Sequence, residues 1–271
     1  MKLGFSTLAA PDRPLRDLAQ AVARAGYDGL ELRGVDRKHL DPAMTGDERA
    51  EVRRILSDAG LEAVAVTSYD RLTKPAGGPE AGADRIRAHI ALARDVGAAG
   101  VRLFGGNVPQ GEQRSDAEAR AAALLASVAD DAAAAGVRLC LETHDAFSTG
   151  RQVAALLRRV NHAALAALWD VHHPWRSGER PEDTLDVLWP AIAYLHVKDA
   201  FTMPDGSRQL CLLGAGDVPV REILGLLKRR GYGGYLVVEW EKPWQPEIPS
   251  VDVAIGQHIL KLREYLGETG E

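Results

Sequence analysis

VRLCLETH (137–144) is an apolar run that closes on a glutamate and a histidine, and three later runs repeat the pattern: LAALWDVHH (165–173), IAYLHVKD (192–199) and YLVVEWE (235–241). Each carries a polar side chain at or near its C-terminal end, namely Glu142, Asp170, His196 and Glu239. A carboxylate or imidazole inside a hydrophobic run is expensive to bury unless it is paired or bound to a metal. Side chains two apart share a strand face, so Glu142 goes with Cys140 and His144, and Asp170 with Leu168 and His172. His196 goes with Tyr194 and Lys198, and Glu239 with Val237 and Glu241. Four such residues on successive strands read as one metal site built from strand ends.

Upstream, the same rhythm continues. LGFST (3–7), GLELRG (29–34), LEAVAVTSY (61–69) and GVRLFGG (100–106) are strand-like. Segments such as 14–26, 47–60 and 116–136 have the 3.6-residue apolar spacing of helices. Gly26, Gly60, Gly97, Gly136 and Gly231 precede the next strand as helix C-terminal glycines. Asp47 and Asp116 are candidate N-caps, and Pro14 and Pro219 suit a first helical turn. No composition break divides the chain. Eight β-α units in 271 residues predict an α/β fold, one (β/α)8 barrel domain over 1–271. A doubly wound sheet is the alternative, but no GxGxxG follows the first strand.

A net charge of −5 and a pI of about 5.9 give no basic field for nucleic acid or anionic membrane. The two cysteines, Cys140 and Cys211, form no CxxC pair, which argues against a disulfide framework and a thiolate zinc site. The N-terminus lacks the apolar region of a signal peptide, and no run is long enough to span a bilayer. The expectation is a soluble cytoplasmic protein. In a barrel, strand C-termini line the face where active sites lie. Three carboxylates and one imidazole there suit Mn²⁺ or Mg²⁺, with Co²⁺ and Zn²⁺ as further candidates.

With those residues in hand, the chain resembles the sugar phosphate isomerase/epimerase superfamily, the xylose isomerase-like TIM barrels that include ketose 3-epimerases, inosose dehydratase-like and hydroxypyruvate isomerase-like enzymes. The similarity runs from GYDGLELR (26–33) to GYGGYLVVEWE (231–241), through WDVHH, LHVKDA and LLGAGDVP. It implies one divalent metal, Mn²⁺ first, held by Glu142, Asp170, His196 and Glu239. It further implies a ketose or keto-sugar substrate, with Glu142 and Glu239 removing and returning a proton next to the carbonyl by way of a metal-stabilised enediolate. His173, His144, Lys198, Arg208, Glu31 and Trp175 are the candidate substrate contacts; His172 is the alternative to His173, and Trp244 shares with Trp175 the chance to stack on a sugar. Trp169 and Trp240 have outward parity and are expected against helices.

The endonuclease IV branch of the superfamily needs further histidines, which VTSYDR, LFGGNV and SRQLCLLGAG lack. GAG (214–216) followed by Asp217 reads as a turn with an N-cap, since Asp217 would repel a phosphate. Two competing readings remain: a lyase or dehydratase that eliminates a β-leaving group at the same site, and a non-catalytic barrel subunit. Dimers and tetramers are usual among relatives, so a homo-oligomer is expected.

Overall fold

The computed structural model describes residues 1–203 and 205–267. Strands β1 (Lys2–Ser6), β2 (Gly29–Arg33), β3 (Glu62–Arg71), β4 (Gly100–Phe104), β5 (Arg138–Glu142), β6 (Leu165–Asp170) and β7 (Ile192–Val197) alternate with helices. A hairpin of β8 (Asp199–Thr202) and β9 (Arg208–Cys211) follows, and then β10 (Tyr235–Val238). The eight parallel strands close in the order β1-β10-β7-β6-β5-β4-β3-β2. The (β/α)8 barrel predicted from the sequence is therefore the fold.

The helices are α1 (Leu15–Ala25), α2 (Gly46–Ala59), α3 (Gly78–Val96), α4 (Arg114–Ala134) and α5 (Gly150–Val160), then the short α6 (His172–Arg176) and α7 (Pro181–Leu188), and finally α8 (Val220–Arg229) and α9 (Val251–Leu266). Most of the apolar surface is buried between strands and helices, where Leu141, Trp169, Leu195, Val238 and Trp240 point outward from the barrel. A second, small cluster fills the lower lumen with Cys140, Leu168, Tyr194 and Val237. These are the residues that share a strand face with Glu142, Asp170, His196 and Glu239. The lumen is thus apolar at its base and charged toward the strand C-termini.

Local signals explain most boundaries and a few departures. All five predicted C-terminal glycines have positive φ, from 68° at Gly136 to 94° at Gly26. The N-cap of α2 is Thr45 rather than Asp47: its hydroxyl accepts from Glu48 N–H, and the Glu48 carboxylate accepts from Thr45 N–H. Asp47 falls in the first turn, as Asp116 does in α4, which starts at Arg114. Both still favour the helix dipole there.

The β8–β9 hairpin is an element that the alternation of strand-like and helix-like segments does not predict. Beyond it, the Asp199 carboxylate accepts from the backbone amides of Gly214, Gly216 and Val218. Those amides are satisfied internally, so the GAG segment is a structural turn and not an anion cradle. Asp217 is not the N-cap of α8, a place taken by Pro219; its carboxylate accepts from Thr202 N–H instead. No helix among the described residues is long and apolar enough to cross a membrane.

Candidate metal centre

Strand register sets the geometry. Asp170 pairs with His196 across β6 and β7, Glu142 pairs with Leu168, and Glu239 follows directly on β10. One ligand atom from each of Glu142, Asp170, His196 and Glu239 lies within 4.8 Å of the others, and all four residues are buried. His196 Nδ1 is 3.5 Å from Glu142 Oε1 and 3.3 Å from Glu239 Oε1.

The remaining atoms are held from outside the cluster. Glu142 Oε2 accepts from Arg102 Nη1 at 3.0 Å, and Glu239 Oε2 accepts from Lys198 Nζ. Asp170 Oδ1 accepts from the amides of His172 and His173. Lys198 Nζ also lies 2.7 Å from Asp170 Oδ2, off the direction of a hydrogen bond, so that contact is a charge–charge one. Glu142 Oε1, Asp170 Oδ2 and His196 Nδ1 accept and donate no hydrogen bond among the described residues, although they are buried. Orphaned buried atoms of this kind demand a partner.

Charge points the same way. Five carboxylates, those of Glu31, Glu142, Asp170, Glu239 and Glu241, face three permanent cations, Arg102, Lys198 and Arg208. A divalent cation balances the set. The residues fit a metal ion, and an oxygen-rich donor set suits a hard one.

Proton affinities follow from the same neighbours. Burial pushes the Glu142 and Asp170 carboxyls up, but Arg102 beside Glu142 and Lys198 beside Asp170 outweigh it and hold both well below the usual range. Glu239 stays raised, because burial and the charge of Glu142 exceed the help from His196 and Lys198. Burial pushes the His172 imidazole down to about 4 and that of His173 to about 3.

A cleft of about 200 Å³ opens beside the cluster, with Glu239, Glu241, Arg102, Arg208 and His144 on its wall and Tyr69, Phe104 and Trp244 as aromatic faces. Of the candidate substrate contacts, His144 and Arg208 lie on this cleft. The Arg208 guanidinium donates to Glu241 at 2.6 Å. His173 packs edge-on against His144, with its Nε2 3.9 Å from Asp170 Oδ2, whereas His172 turns toward Trp175.

Three candidates sit elsewhere than expected. Lys198 is buried among Asp170, Glu239 and Glu241 rather than on the wall. Glu31 lies beneath the cluster, bonded to His196 and Tyr194. Trp175 is on α6, packed against the apolar core, and the exposed aromatic ring at the cleft is Trp244. Arg102, which donates to Glu142 and lines the cleft, is a site residue absent from the candidates taken from the sequence. Its signal was available, because an arginine between Val101 and Leu103 in an apolar strand is the same anomaly as the other four.

Residues 19–262 match the family described as Xylose isomerase-like TIM barrel. The chain belongs to that family. Among curated members, it is 28% identical over 247 residues to a 3-dehydroshikimate dehydratase of Pseudomonas aeruginosa, covering 83% of this chain and 36% of that protein. It is 21% identical over 251 residues to a fructoselysine 3-epimerase of Shigella flexneri, covering 88% and 90%. The chain spans less than half the length of two of the curated relatives it matches. Among solved structures, the IolI protein, described with a bound zinc atom, superposes with a TM-score of 0.84 at 18% identity over the full length of both chains. The relatives include enzymes of two reaction types, epimerase and dehydratase.

Proposed function

We propose that this protein is a divalent-metal-dependent enzyme that removes a proton from the carbon next to a carbonyl of a small polyhydroxylated substrate and returns one to the opposite face of that carbon, giving an epimer, or to the neighbouring carbon, giving an isomer. The observation that carries this reading is the placement of Glu142 and Glu239. They stand at the ends of strands three positions apart in an eight-strand barrel, on either side of Asp170 and His196 in the buried cluster. A substrate bound between them offers one face to each.

Glu142, Asp170, His196 and Glu239 would hold the ion, with Mn²⁺ or Mg²⁺ favoured by the donor set. The ion would serve as a Lewis acid toward the substrate's oxygens, stabilising negative charge as it develops. Arg102 and Lys198 fix the outer oxygens of the two glutamates, which sets the direction of each carboxylate. A carboxylate has about four lone-pair sites, so an anchored one keeps capacity for a proton. One glutamate takes the proton as base and the other supplies it as acid. His144 and Arg208 are placed on the cleft to bind substrate oxygens, and Trp244 offers an apolar face to a ring.

A second reading, β-elimination, is favoured by the guanidinium groups of Arg71, Arg102 and Arg208 on the cleft. Arg102 Nε and Nη2 and Arg208 Nη1 are buried with no hydrogen-bond partner among the described residues, although the Arg102 guanidinium stacks on Tyr69 and Phe104. Such a wall suits a keto compound that also bears a carboxylate, and the same proton removal would then expel a β-hydroxyl. Product analysis separates the two. Ketoses and carboxylated keto-polyols are incubated with enzyme and Mn²⁺, then followed by NMR and ultraviolet absorbance. A new stereoisomer without a chromophore supports the first reading; an unsaturated carbonyl absorbance supports the second.

A further inference from the structure

Glu31 is fully buried on β2, three strand positions from β7 across the closed barrel, and yet its carboxylate reaches His196. Glu31 Oε1 lies 2.7 Å from His196 Nε2 and accepts from Tyr194 Oη, also at 2.7 Å. Those are its hydrogen-bond partners among the described residues, and Oε2 has none. An acid placed there needs a reason, because a neutral acceptor such as glutamine would satisfy Tyr194 without a buried charge.

We infer that Glu31 is a positioning residue for the metal: it holds the Nε2–H of His196, so that Nδ1 is the nitrogen presented to the ion. The partner of one imidazole nitrogen decides which proton the ring keeps and which nitrogen is free to ligate. His196 Nδ1 is the atom that faces Glu142 and Glu239 and lacks a hydrogen bond. A carboxylate behind a ligating histidine also raises its basicity, which strengthens the bond to a cation. Tyr194 supplies the second bond to the same carboxylate oxygen, which ties Glu31 to β7 beside His196. This role differs from the substrate contact expected for Glu31 and rests on the metal-centre reading above.

The test uses full-length protein stripped with EDTA. Mn²⁺ affinity is measured by calorimetry for wild type and Glu31→Gln, and thermal melting is recorded without metal. Loss of the charge is expected to weaken Mn²⁺ binding about 10- to 100-fold. Metal-free Glu31→Gln is expected to melt no lower than wild type, because it relieves one of five clustered carboxylates. A merely structural glutamate would do the reverse, lowering the melting temperature and leaving the affinity unchanged, and that result overturns the inference. Nitrogen-15 NMR of His196 in the Zn²⁺-loaded wild type checks it without any variant: a proton on Nε2 and metal on Nδ1 support it, and the opposite assignment refutes it. If wild type binds none of Mn²⁺, Mg²⁺, Co²⁺ or Zn²⁺, the metal-centre reading fails and this inference fails with it.

Discussion

Arg102 and Lys198 show how single residues prepare the centre before any substrate arrives. Each places a buried cation against the outer oxygen of one glutamate, and both glutamates turn their other oxygen toward His196. Glu142→Gln and Glu239→Gln keep the side-chain volume and remove the proton acceptor, so each is expected to lower kcat by about 10² to 10⁴ with the fold intact. Steady-state kinetics beside a circular dichroism spectrum check this. Near-wild-type turnover in both variants would contradict the assigned roles.

A second residue-scale prediction lies outside the centre. His258 on α9 is buried against Trp240, and burial lowers its pKa to about 4 from 6.5. The unfolded chain therefore takes up this proton first. The stability it contributes is complete above about pH 6.5 and is lost as pH falls toward 4, by about 3 kcal/mol across that window. His258→Leu is expected to flatten the acid limb by about that amount in urea titrations at pH 7 and pH 4. Parallel limbs for the two proteins would refute it.

At the scale of elements, caps and turns carry the specificity. Thr45→Ala removes the hydroxyl half of the α2 capping box, leaving the backbone bond to Glu48, and is expected to cost about 1 kcal/mol in equilibrium unfolding. Gly216→Ala should cost about 1–3 kcal/mol by overpacking. Its added methyl would meet Asp199 Oδ1 at 2.4 Å and the Ala200 carbonyl oxygen at 2.6 Å, a backbone atom that cannot turn away. Urea midpoints check both.

The barrel strands and their glycine-capped helices were legible because period-2 and period-3.6 patterns report burial directly. The β8–β9 hairpin was not, since its residues 199–202 and 208–211 have partly exposed faces and mixed polarity. By residue type Asp47 is as good a cap as Thr45, and only the reciprocal bond with Glu48 decides between them. Glu31 and Trp175 were placed by face parity and loop position, which say nothing of depth along the lumen or of a short helix after β6.

For the whole molecule, the charged upper lumen predicts a stability that rises with a divalent ion. Mn²⁺ at a hundredfold excess over its Kd is expected to stabilise the protein by about 2.7 kcal/mol, and EDTA should reverse the gain. A melting curve unmoved by metal or chelator would contradict a buried divalent site. The family, and the four residues that meet in the candidate metal cluster, could be read from the strand ends and their flanking motifs. The substrate could not, because the cleft is assembled from Tyr69, Arg71, Arg102, Phe104 and Trp244, which share no sequence pattern and meet only when the barrel closes.

The central claim is proton abstraction next to a carbonyl, and solvent exchange tests it most directly. Wild-type protein with Mn²⁺ is incubated in D₂O with a panel of ketoses and carboxylated keto-polyols and followed by proton NMR. The account predicts deuterium at the carbon beside the carbonyl of at least one compound, lost with EDTA and lost in Glu142→Gln or Glu239→Gln. Exchange that persists in EDTA, or in both variants, would contradict it, as would a metal-loaded protein that exchanges no compound of the panel.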